Sequence, residues 1–137
     1  MNFHRPQPLF QKIDCIRLPV PNLDEALAFY RDRLGHELVW RSDRSAGLRM
    51  PDTDTEIVLH TEDHGQEIDL KVESVEAATA RFVEAGGTIL VPPFDIQIGR
   101  CVVVADPWGN PLVLLDTSKG LLITDDAGNI IGNKTES

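Results

Sequence analysis

From Cys15 to Val20 the chain alternates, with Ile16, Leu18 and Val20 on one side and Cys15, Arg17 and Pro19 on the other. That is the period of a strand with one face in a core. Asn22 comes next as a helix cap, with Glu25 three residues on in the position that reaches back to it. Leu23, Ala26, Leu27, Tyr30 and Leu34 then recur at helical spacing, and Gly35 closes the run. Three strand-like runs come next, at 36–41, 46–50 and 55–60, separated by the turn-forming stretches SDRS and PDTD.

The same pattern returns at a constant offset of 52 residues. Ile16, Leu18 and Val20 fall on Ile68, Leu70 and Val72; Ala26 falls on Ala78 and Gly35 on Gly87. In the second copy Ser74 caps a helix whose stripe is Val75, Ala78, Phe82 and Val83, and Gly86-Gly87 ends it. Strands are expected at 88–91, from about Ile96 through Ala105, and at 111–115, with PPFD (92–95) as a loop. Asp106-Pro107-Trp108-Gly109 suits a type I turn before the last strand. The fold class is therefore α+β: two βαβββ modules, each a sheet with one face covered by its helix and the other left to a partner or a pocket. The expected layout is an arm at 1–12, modules at 13–60 and 66–116, a linker at 61–65, and an extension at 117–137. Two apolar runs around DDAGN make that extension a short hairpin, packed on the domain or on a second subunit.

Alternation separates the sheet's faces. Ile16, Leu18, Val20, Ile57, Leu59, Ile68, Leu70, Val72, Leu112 and Leu114 are uniformly apolar and should meet the helices. The other face carries Cys15, Arg17, Glu56, Val58, His60, Glu67, Asp69, Lys71, Pro111, Val113 and Leu115. The charges among them fit cross-strand ion pairs worth about 0.2–1 kcal/mol each. The sharper alternative is a pocket in which Glu67 is a general base and Arg17 holds an anionic or enolic oxygen.

Composition narrows the partners. A net charge of −9 disfavours nucleic acid and anionic membrane surfaces. The opening MNFHRPQPLF has no apolar stretch and is expected to be neither a leader nor a membrane span. Cys15 and Cys101 stand alone, which fits a reducing cytoplasm, and Cys15 is either an inert buried thiol, the favoured reading, or a reactive one.

VPNLDEALAFYRDRLG in the first half, with PPFDIQIGR and VVVADPWGNPLVLLD in the second, resembles the glyoxalase/bleomycin-resistance/dihydroxybiphenyl dioxygenase fold of the vicinal oxygen chelate superfamily. The resemblance covers residues 13–116 and implies that the two βαβββ modules form a cupped, mostly antiparallel sheet with outer helices. It implies a cleft that often holds one divalent metal, with a His on the first strand and a Glu on the last strand of each module. Those positions fall on Cys15, Val58, Glu67 and Val113. Two of them are aliphatic, so the inherited metal site is expected to be absent and no other cofactor is expected. A shifted divalent site using Cys15, Glu67 and His60 is the alternative.

Three functions stay open: a metal-free protein that binds or transforms a small molecule, a metal-dependent lyase, isomerase or dioxygenase with altered ligands, and a drug-sequestering protein. Beside Glu67 and Arg17, the expected ligand contacts are Cys15, Trp40, Val58, His60, Asp69, Lys71, Phe94, Ile96, Trp108 and Val113. The expected partners are a small-molecule ligand and a second copy in a homodimer.

Overall fold

The computed structural model describes residues 7–134. Ten strands and two helices succeed one another in chain order: β1 Lys12–Pro19, α1 Leu23–Leu27, β2 Glu37–Arg41, β3 Ser45–Met50, β4 Thr53–His60, β5 Glu67–Lys71, α2 Val75–Glu84, β6 Thr88–Ile96, β7 Gly99–Ala105, β8 Pro111–Leu115, β9 Leu121–Thr124 and β10 Ile130–Lys134. Eight strands form one sheet in the order β2-β3-β4-β1-β5-β8-β7-β6. The second module's four strands mirror the first's, which is the two-fold symmetry implied by the 52-residue repeat. Its axis passes through the paired Ile16 and Ile68, where β1 and β5 join the modules antiparallel within one chain.

Both helix starts form as expected. The Glu25 N–H donates to Asn22 Oδ1 (2.9 Å) and the Ala77 N–H to Ser74 Oγ (3.3 Å), satisfying donors that lack an intrahelical partner. One core packs α1 onto the first module through Leu23, Ala26, Leu27, Ala46, Leu48 and Leu59. The other packs α2 onto the second through Val75, Ala78, Leu70, Val72, Val102, Val104 and Leu114.

Several expectations are corrected. After Leu27 the helix widens into a π-helical segment, Ala28–Arg33. The extra residue per turn rotates the later side chains about the axis, so Leu34 leaves the stripe and is exposed. Ile68 and Val83 are exposed as well, the former beside the module junction rather than under a helix. PPFD is not a loop. β6 runs through it on the sheet's outer edge, where proline's missing N–H breaks no interior ladder, and register shifts absorb the rings. The strand expected to continue from Ile96 instead turns back at Gln97-Ile98, and Ile96 pairs with Gly99.

Of the expected N-terminal arm, residues 1–6 lie outside the described residues. The rest is docked: Leu9 packs on the second core and the Gln11 N–H donates to Lys71 O (2.8 Å). In the DPWGN turn the Gly109 N–H donates to Asp106 O (3.0 Å), and Asp106 Oδ1 accepts the Asn110 N–H (2.9 Å). The extension is indeed a hairpin, β9 with β10. Among the described residues no helix is long and apolar enough to cross a membrane.

Candidate functional site

The concave face of the sheet and the β9–β10 hairpin enclose a cleft of about 670 Å³. Its floor is built where the modules meet. In the register of β1 and β5, Cys15 stands opposite Asp69 and Arg17 opposite Glu67. Val113 and Leu115 of β8 extend the floor, with Cys101 and Val103 of β7 beyond them. Trp40, Ser42 and Ser45 form one wall, Phe94, Ile96, Gln97 and Ile98 the other, and Leu122 and Ile130 the roof.

Two β-bulges decide who faces the cleft. A register shift between Ile13 and Cys15 brings Asp14 into the lining beside Cys15, against simple alternation. A second shift, between Leu38 and Trp40, lets Leu38 pack under α1 while Trp40 turns to the cleft. The Trp40 indole lies over Gly47, where an added Cβ would overlap its Nε1. Only glycine permits that approach, and it leaves the Trp40 Nε1–H donating to Glu56 Oε1 (2.7 Å).

Asp69 is the electrostatic centre. It is 5% exposed; its Oδ2 accepts from the Cys15 thiol (3.4 Å) and its Oδ1 has no hydrogen-bond partner among the described residues. Burial first, and then the adjacent Glu67 carboxylate, push its pKa up to about 9. Burial thus favours the protonated acid well above the usual carboxylate range. A proton held there gives the unpartnered oxygen a donor role. Arg17 pairs loosely with two carboxylates, Glu67 at 3.6 Å and Glu62 at 3.8 Å. Burial, reinforced by Asp69 and Asp14, drives the Cys15 thiol far above its ordinary range, and burial pushes Cys101 up to about 12. Both thiols are thus poor nucleophiles.

The structure brings together Cys15, Arg17, Trp40, Glu67, Asp69, Phe94, Ile96 and Val113 in the cleft. It leaves out four expected contacts. Trp108 is 83% exposed on its turn, Lys71 reaches to Gln11 instead, and Val58 and His60 are buried beneath the lining. Of the other residues assigned to the cleft face, Pro111 is exposed and Glu56 serves Trp40. Glu62, His64, Leu122 and Ile130 were not expected in the lining. No local pattern marks them, because the loop and the hairpin reach the cleft only through tertiary packing. Cys101 and Val103 were findable, since the alternation of β7 places them with Val113.

The model of the Glyoxalase/Bleomycin resistance protein/Dioxygenase superfamily matches residues 12–114. The chain belongs to that superfamily. No curated protein matches the sequence significantly. Among solved structures, methylmalonyl-CoA epimerase from Mycobacterium tuberculosis is 20% identical with TM-score 0.67, over 82% of this chain and 92% of that one. A single-residue variant of Streptomyces coelicolor methylmalonyl-CoA epimerase, in complex with 2-nitronate-propionyl-CoA, is 22% identical with TM-score 0.65, over 80% of this chain and 99% of that one. Hypothetical protein BH1468 from Bacillus halodurans C-125 is 17% identical with TM-score 0.67, over 80% and 96%. At these identities the likeness establishes the fold alone.

The superfamily's metal can be tested against the donors present. Val58 and Val113 offer none, and Cys15 Sγ lies against Asp69 Oδ2 (3.4 Å), which leaves Cys15 and Glu67 as the only donors at the four matched positions. His60 does not reach the cleft lining, so it does not complete a site with Cys15 and Glu67. A separate cluster, His60, Glu62 and His64, has ligand atoms within 4.8 Å of one another. There His60 Nδ1 accepts the Glu62 N–H (3.2 Å), and the two imidazoles stack at 4.1 Å and 20°. Stacked rings aim their in-plane lone pairs side by side rather than at one point. The Cys15–Glu67–His60 set does not assemble, whereas His60, Glu62 and His64 bring three donor atoms together, and their stacked rings must turn before both lone pairs converge on one ion.

Proposed function

We propose that this chain is a metal-independent member of the superfamily that binds a small carbonyl compound in the cleft and moves a proton at the adjacent carbon. The observation that carries this reading is the floor pair, a buried Asp69 with one unpartnered oxygen near Glu67, where burial favours the protonated acid. Glu67 takes the proton from carbon as the C–H bond breaks, and Asp69 hydrogen-bonds or protonates the developing enolate oxygen, with Arg17 adding positive charge nearby. Reversal returns both protons, so no oxidant or second substrate is needed. The donor sets support metal independence, because two superfamily ligand positions are valine. Structural neighbours named as epimerases are consistent with the reaction class and carry no more weight than that.

The test is solvent-deuterium incorporation at the α-carbon across ketones, 2-oxo acids and acyl thioesters, monitored by NMR. Exchange that disappears in Glu67→Gln supports the reading; exchange unchanged in that variant sinks it. The second reading, a metal-dependent enzyme, is favoured by one observation, the His60–Glu62–His64 cluster. Stoichiometric zinc on untagged protein, lost in His64→Ala, would install it. We further propose that the acidic chain works in the cytoplasm as a homodimer, which sedimentation equilibrium and fractionation check directly.

A further inference from the structure

The β9–β10 hairpin lies beyond residues 12–114, the part shared with the superfamily, and it is tied to both edges of the sheet. At β2, one outermost strand, the Arg41 N–H donates to Gly128 O (2.8 Å) and Arg41 bridges to Asn129. At the turn after β6, the other outermost strand, Asn133 Nδ2 donates to Gln97 O (2.8 Å) and the Lys119 N–H to Ile98 O (2.9 Å). The hairpin therefore spans the mouth of the cleft from edge to edge. It brings Leu122 and Ile130 into the cleft lining, Leu122 in the neighbourhood of Trp40 and Ile98, and Ile130 near Ser42 at the β2 edge.

Roof and floor differ in kind. Apart from Gln97 the roof and far wall are apolar, whereas the floor's guanidinium, Arg17, is already faced by Glu67 and Glu62. A ligand anion would meet those carboxylates without an unanswered positive charge to receive it. A neutral polar end fits the floor, and an apolar body fits beneath the roof.

We propose that the hairpin is a strap that selects the cleft's ligand: a compact, neutral carbonyl compound whose apolar body packs against Leu122, Ile130 and Phe94. Placement of the carbonyl rests on the proton-transfer reading; selection of the body rests on the strap alone.

The test uses the full chain and three probes: 4-phenylbutan-2-one, acetone, which lacks the body, and 3-phenylpropanoate, which carries a similar body on an anion. Affinities come from NMR titration of the cleft amides. The aryl ketone is expected to bind at least about tenfold tighter than either comparator. Leu122→Ser with Ile130→Ser is expected to remove about that preference, while Ile131→Ser, on the exposed outer face, leaves it unchanged. Should the double variant unfold, Ile130→Phe, which fills the cleft, is expected to weaken the aryl ketone instead. Anion binding as tight as the ketone's, or an undiminished preference in folded roof variants, overturns the proposal. Selective binding without deuterium exchange upholds the strap and refutes only the proton-transfer reading.

Discussion

Replacing Asp69 by Asn tests the protonation state at the heart of the site. Asparagine keeps the shape, its oxygen can accept the Cys15 S–H, and its N–H keeps a donor where the protonated acid has one, so little packing changes. What changes is the linkage between folding and pH. The folded carboxyl has a pKa of about 9; unfolded aspartate titrates near about 3.9. Between those values the native state holds a proton that the unfolded state has lost, so this group's contribution falls as pH rises. The fall is about 1.4 kcal/mol per pH unit, and it stops above the folded value, where both states are ionised. The window from about pH 7 to about pH 8 isolates it. His60, whose pKa burial lowers, is largely neutral there, and the raised thiols add a slope of the same sign only when unfolded cysteine ionises at higher pH. For a chain of this length the unfolding entropy is about 0.3 kcal/mol per K. The Tm of Asp69→Asn should therefore gain on the parent by about 4 to 5 °C per pH unit. Differential scanning calorimetry at matched ionic strength reads this gap. A constant gap across the window would show that Asp69 is ionised in the folded protein and remove the acid from the mechanism.

Other expectations concern the frame that holds the floor. Asp116 is 2% exposed and accepts the Val75 and Arg100 N–H groups (2.9 Å each), joining the start of α2 to β7. Burial pulls its pKa up, but those N–H bonds more than offset this and hold it below the usual range. Asp116→Ala should destabilise by about 2 to 5 kcal/mol in urea denaturation, because two buried donors lose their partner. Gly99→Ala should also destabilise: its Cβ would overlap the Asp116 carbonyl oxygen, and backbone on both sides must shift to accommodate it. In the folded protein at mildly alkaline pH, Cys15 should resist a thiol reagent such as dithionitrobenzoate and react only on unfolding; rapid native labelling would mean the thiol is less buried than its 4% exposure indicates.

Much of the fold was legible because symmetry doubles the signal. The alternation at Ile16, Leu18 and Val20 returns at Ile68, Leu70 and Val72, and two such modules pair through those strands. The floor residues Cys15, Arg17, Glu67 and Asp69 come from the same alternation. Features set by neighbouring strands were not legible. The bulges at Asp14 and Val39 exist only in the register with β5 and β3, and the π-helical segment that turns Leu34 out obeys no residue pattern. Pro92-Pro93 signalled a loop because the outer-edge position of β6, which tolerates them, is a property of the whole sheet. The raised pKa of Asp69 depends on burial among elements distant in sequence, and the roof on where the extension docks.

The most direct test of metal-independent proton transfer is deuterium incorporation into 4-phenylbutan-2-one by untagged protein dialysed against chelator, run beside Glu67→Gln. A Glu67 base working without metal predicts exchange that persists after dialysis and falls by at least about a hundredfold in the variant. Exchange that returns only when a divalent ion is added back, or that runs equally fast in Glu67→Gln, would contradict it.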